Sequence, residues 1–178
     1  MTAIEQRRVT AIHEAGHAVI ARRLGVNVAI AALFPPNSMD GGGVEAESQM
    51  SKTNGLSTEA VEIDIKVALA GIAAQRRAFP DSVGDKDGEE DWGIIQDGVA
   101  RIVYIMNGLT LPDDEAAFVL SDEMCDIADR IYKQLTAETD ILVTKCWPAI
   151  ERVAEAIMQY PHTLNQSEID ALMAPSRR

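Results

Sequence analysis

His13-Glu14-Ala15-Gly16-His17 is the stretch on which the reading of this chain turns. Residues four apart on a helix stand one above the other on the same face. Both imidazoles then reach one metal ion while Glu14 projects beside it. This is the H-E-x-x-H arrangement of zinc metalloproteases, in which the glutamate is general base for a zinc-bound water. It requires a helix, a third ligand from elsewhere in the chain, and one coordination position left open.

The surrounding residues predict that helix. Thr2 followed by Glu5 is a capping-box signature. An apolar stripe follows at Val9, Ile12, Gly16, Val19, Ile20 and Leu24, and Gly25 is the stop signal. The expected helix runs from about residue 3 to Leu24, with His13 and His17 at the edge of the buried stripe. Arg7, Arg8, Arg22 and Arg23 mark its solvated side. Gly16 serves close approach, either to a neighbouring helix or to the metal.

Working outward, residues 27–34 read as a strand ended by Pro35-Pro36-Asn37, and the glycine run 41–43 leads into a second strand near Val44–Glu47. The pair is either a hairpin that covers the helices or an edge that holds substrate backbone by strand addition. Asn54-Gly55 turns the chain, and Ser57 caps a helix to about Phe79 with Val61, Ile65, Ala68, Leu69 and Ile72 on its core face. After an acidic, glycine-containing loop, Asp91 or a neighbour caps a helix carrying Ile95, Val99, Ile102, Val103 and Met106, ended by Asn107-Gly108. A long helical stretch starts at Ser121-Asp122-Glu123 and runs to about Tyr160, and Pro148 inside it predicts two helices or a kink. Asn165 with Glu168 caps a last helix through Met173. The expected fold is mainly α, one domain over residues 1–178, with a small β-hairpin or sheet near 27–47.

Composition bounds the partners. The chain has 178 residues, enough for one well-buried core, and only 4% aromatics, which favours packed helices over a sandwich. With 28 acidic against 16 basic residues the net charge is −12, which argues against nucleic acid or an anionic membrane surface. Cys125 and Cys146 form no Cys-x-x-Cys pair, which excludes that thiolate motif and suggests a reducing compartment. No apolar run reaches the roughly 18 to 20 residues of a membrane span, and no signal-peptide core is evident. These features predict a soluble, cytoplasmic protein.

The third ligand is not chosen by spacing. His162, beside Pro161, reads as a hinge or exposed histidine. That leaves the carboxylates Asp81, Asp85, Asp87, Glu89, Glu90, Asp91 and Asp97. Asp91 fits an N-cap as well as a ligand.

Residues 13–18, His-Glu-Ala-Gly-His-Ala, resemble the metalloprotease domain of FtsH-type ATP-dependent zinc proteases, a helical zincin-type domain. Ala68-Leu69-Ala70-Gly71 resembles that family's Leu-Ala-Gly segment, and Ile157–Tyr160 with Ile169–Met173 resemble its closing helices. The resemblance implies a third ligand from an aspartate that opens a later helix, which maps onto Asp91. It implies a zinc metalloendopeptidase with Zn2+ on His13, His17 and Asp91 and with Glu14 as general base. The sequence departs from the family in three ways. It holds no Gly-x-x-x-x-Gly-Lys-Ser/Thr loop, it has Gln75 where the family carries a glutamate, and its strand region is worded differently. Without an unfolding motor the expected substrates are unfolded or flexible proteins and peptides, cleaved alone or beside a separate ATPase. The family's ring assembly forms largely through the absent module, so the resemblance leaves a homo-oligomer open without implying a ring. The alternative is a catalytically silent, zinc-binding regulatory or interaction protein on the same scaffold.

Overall fold

A computed structural model describes residues 2–35, 41–53, 57–82, 88–112, 118–159 and 163–175. It is mainly helical with a small three-stranded antiparallel sheet, as expected. In chain order the elements are α1 (Ala3–Arg23), β1 (Val28–Leu33), β2 (Gly42–Ala46), α2 (Gln49–Lys52), α3 (Thr58–Ala78), α4 (Glu89–Met106), α5 (Asp122–Ile157), β3 (Thr163–Leu164) and α6 (Gln166–Met173).

Local chemistry sets the ends of α1. Thr2 and Glu5 form the reciprocal capping box, and Gly25 turns the chain at φ +81°. The middle of the helix is buried on nearly every side, because α3, α5 and the sheet surround it. Of the four arginines assigned to solvent, Arg22 makes a paired contact with Asp170 of α6 at 2.8 and 3.0 Å. Arg7 donates to the Phe34 carbonyl. Both therefore tie α1 to its neighbours.

The sheet order is β2-β1-β3, with Ile30 opposite Glu45, Leu33 opposite Gly42, and Ala31 opposite Leu164. β2 begins two residues earlier than its side chains suggest, since Gly42 and Gly43 already belong to the ladder. No strand covers the outer edge of β2 among the described residues.

α3 stands between two apolar clusters. One joins α1, β1, α6 and the C-terminal half of α5 around Val19, Ile20 and Ile150. The other joins α4 and the N-terminal half of α5 around Ile65, Ile95 and Leu135. The α3 face predicted from Val61 to Ile72 is buried. On α4, Met106 is 64% exposed, because the chain leaves the core at the helix end. α5 runs unbroken through Pro148, which rules out two separate helices. Its two cysteines are unpaired. Among the described residues no helix is long and apolar enough to cross a membrane.

Ile150 is fully buried in the first cluster. Ile150→Ala should cost about 2–5 kcal/mol in urea unfolding. Ile141→Ala, on an exposed face of the same helix, should change stability by no more than about 0.5 kcal/mol.

Candidate metal centre

Three elements meet at the site. α1 supplies His13 and His17 one turn apart, α3 crosses them at Gly71, and the first turn of α4 supplies Asp91. Gly16 belongs to the helix packing, since a Cβ there would stand 2.6 Å from the Ala70 carbonyl and 2.9 Å from the Ala74 Cβ. Gly71 makes the cradle itself. A Cβ on it would fall onto Nε2 of His17 and 2.9 Å from Nε2 of His13.

Asp91 does not cap its helix. Gly88 does, in the left-handed region at φ +77°, and Asp91 is the third helical residue. A carboxylate in a first turn is favoured by the helix dipole, and here it also faces α1. Its Oδ2 lies 3.0 Å from His13 Nε2 and 3.4 Å from His17 Nε2, and the two Nε2 atoms are 2.9 Å apart.

Among the described residues, Asp91 is the carboxylate that joins the two histidines. Asp81 and Glu90 are exposed, although Glu90 borders the groove, and Asp97 pairs with Arg101. Glu89 lies in the first turn of α4. Asp85, Asp87 and His162 lie outside the described residues.

The ring tautomers follow from the far nitrogens. His17 Nδ1–H donates to the Val67 carbonyl at 2.8 Å, and His13 Nδ1–H donates to Gln75 Oε1 at 3.1 Å. Each neutral ring therefore aims a lone pair from Nε2 at the same point as the Asp91 carboxylate. Three acceptors that converge this closely call for a cation. A tetrahedral ion with bonds of about 2.0–2.1 Å separates its ligands by about 3.3–3.4 Å. The triangle of 2.9, 3.0 and 3.4 Å comes close to that requirement. His13, His17 and Asp91 thus form a group able to hold a metal ion. Gln75, 4% exposed, is the outer partner that holds the His13 ring, as an acceptor without charge.

Without a metal, a proton fills part of that role. Burial works against a charged His17, but the Asp91 hydrogen bond and charge, helped by Glu14 and the Val67 carbonyl, raise its pKa from 6.5 to about 9. Burial likewise pushes Asp91 up, yet the two histidine hydrogen bonds hold it well below the usual carboxylate range. A metal must displace the His17 proton. Metal affinity should therefore rise about tenfold per pH unit between roughly pH 7 and 9, then flatten. Calorimetry in buffers of different ionisation enthalpy should count close to one proton released at pH 7. The metal-free fold should behave in the opposite sense. The His17 contribution to stability is fully present below pH 6.5 and is lost as the pH rises through about 9.

Glu14 is 8% exposed, and burial raises its pKa above the ordinary carboxylate value, against the nearby histidines. Among the described residues its carboxylate has no hydrogen-bond or ion-pair partner. Gly42 of β2 lies directly over it, so close that a Cβ there would be 2.8 Å from Glu14 Cγ. An open groove of about 1080 Å³ runs along this edge of β2, past His13, Glu14 and His17 to Met50 and Val67.

The sequence pattern placed His13 and His17 on one face of α1, and their Nε2 atoms meet there. It did not assign Gly71 or Gly42 a place in the site. Gly71 carried a usable signal, since glycine inside a helix costs about 1 kcal/mol against alanine and needs a reason to be there.

The chain matches no protein-family model, and no curated protein matches it.

Proposed function

We propose that this chain is a zinc metalloendopeptidase that hydrolyses peptide bonds of unfolded or flexible chains. One observation carries the reading: a nearly buried carboxylate, Glu14, without a partner among the described residues, stands beside three converging metal-ligand atoms in a groove bordered by the outer edge of β2, which no described strand covers. The resemblance of residues 13–18 to FtsH-type peptidases supports it.

His13, His17 and Asp91 would hold the ion, and this borderline nitrogen and oxygen donor set suits zinc. When bound, zinc supplies Lewis acidity toward water and toward a peptide carbonyl. Glu14 takes the proton of the attacking water on its carboxylate and delivers it to the leaving amine. Its burial favours the protonated intermediate state of that relay. The outer edge of β2, which no strand covers among the described residues, offers backbone groups along which an extended peptide adds as a strand. Gly42, without a side chain, lets that strand lie against Glu14.

The test is metal removal. Purified protein should carry about one zinc per chain and digest denatured casein. Chelation should abolish digestion, and stoichiometric zinc should restore it. Digestion that survives chelation overturns the reading. Zinc held firmly with no cleavage of varied unfolded substrates favours a silent metal-binding protein instead.

A further inference from the structure

Resting on the peptidase reading, we infer that Asp64 is a positioning residue that sets substrate preference, by pinning Met50 as the wall of an apolar pocket on the His17 side of the metal centre.

The course of β2 defines the two ends of the groove. Gly41 lies against Thr10 and Gly42 against Glu14, so the strand advances along α1 toward His17. Alternate strand residues share a face, so Val44 and Ala46 face the same way as Gly42. They line the groove together with Met50, Val67 and Ala68, and the Val67 carbonyl is the one that holds His17. The opposite end is lined by Gln6, Arg7, Thr10 and Pro35. Glu47, Ser48 and Asp64 border the His17 end as well, but Glu47 is paired with Lys52 and Asn27 and Ser48 with Asp64. The surface left to an occupant there is therefore the aliphatic one of Val44, Ala46, Met50, Val67 and Ala68.

Met50 is placed by a segment that cannot place itself. α2 has four residues and none of them is buried. A helix that short has no stability of its own. Its entrance is gathered by one carboxylate from α3. Asp64 accepts from Ser48 Oγ at 2.7 Å, from the Gln49 amide at 2.9 Å and from the Met50 amide at 2.8 Å. Hydrogen bonds to an ionised acceptor are about twice as strong as neutral ones. Ser48, so held, caps the Ser51 amide in turn. Met50 is then seated on the second apolar cluster, with its flank turned to the groove. The occupant that fits is an extended peptide carrying an aliphatic side chain at this position.

The experiment reads peptide binding, so that turnover is not needed. Labelled ten-residue peptides that differ only in a central Leu, Phe, Ala or Lys are titrated by fluorescence anisotropy onto zinc-loaded Glu14→Gln protein. Leu should bind at least about tenfold more tightly than Ala or Lys. Met50→Ala should move the preference toward Phe. Asp64→Asn replaces half of the carboxylate with a donor. It should bring the Leu-to-Ala ratio within about threefold, hasten hydrogen exchange at the Gln49 and Met50 amides, and leave zinc content unchanged. A Leu-to-Ala ratio that Asp64→Asn does not move, or binding that weakens equally for all peptides, overturns the inference, as does the absence of any peptide binding. Cleavage by the wild-type chain with an unmoved ratio removes the Asp64 assignment alone. The expected binding pattern with no wild-type cleavage removes the peptidase reading alone.

Discussion

Glu14→Gln should keep about one zinc per chain and lower peptide hydrolysis by about 10²–10⁴-fold, the range expected for a positioned general base. The substitution is nearly isosteric, so the close approach of Gly42 to Cγ is preserved. It also breaks no hydrogen bond, because the Glu14 carboxylate has no partner among the described residues. Only the capacity to take and return a proton is removed. Stability supplies a check on the same variant. Burial raises the Glu14 pKa in the folded chain, so its charged form weakens the fold as pH rises above 4.5. In chelator at pH 7 the glutamine variant should melt at the same temperature as wild type or higher. Unchanged hydrolysis would remove Glu14 from the mechanism. Loss of zinc in the variant would instead make Glu14 a support of the metal site.

Gly71→Ala should abolish metal binding, with zinc affinity reduced by more than the 10–100-fold typical of losing one outer hydrogen bond. The added methyl group would fall on His17 Nε2 and within 2.9 Å of His13 Nε2. Both rings would have to turn away, breaking the bonds that His17 makes to Val67 and His13 makes to Gln75. Without those anchors the two lone pairs no longer converge with Asp91. Gly93→Ala is the control. It is also inside a helix, and nothing stands within 4 Å of its added Cβ. It should keep full zinc binding and gain up to about 1 kcal/mol from helix propensity. Zinc titration and circular dichroism on the pair separate a blocked cradle from a disrupted fold. Retention of tight zinc by Gly71→Ala would show that the ion does not sit between these rings.

Much of the architecture is legible in the sequence because it is locally encoded. The capping boxes at Thr2–Glu5 and Asn165–Glu168 lie within one helical turn, and both form as their spacing indicates. The buried face of α3 follows from 3.6-residue periodicity, and the strand pair from the turn and glycine signals between residues 27 and 47. The elements missed are those without a local cause. β3 has two residues and exists by pairing with Ala31 and Ala32, far away in sequence. α2 depends on Asp64 of another helix. The helix expected to start at Asp91 or a neighbour does form, and its cap is Gly88.

His13 and His17 lie on one face because helix geometry alone brings positions four apart together, and that much was settled by the sequence before any tertiary contact. The third ligand was not settled in that way, because several carboxylates lie within a few residues of one another on the approach to α4 and in its first turns. Packing of α4 against α3 turns Asp91 toward the two histidines, while Asp97 goes to Arg101 and Glu90 stays exposed. Tertiary structure likewise decided that Gly71 makes the cradle and that Glu14 stands under the glycine edge of β2, without a partner among the described residues. Those properties belong to the spaces between elements, and no single stretch of the chain encodes them.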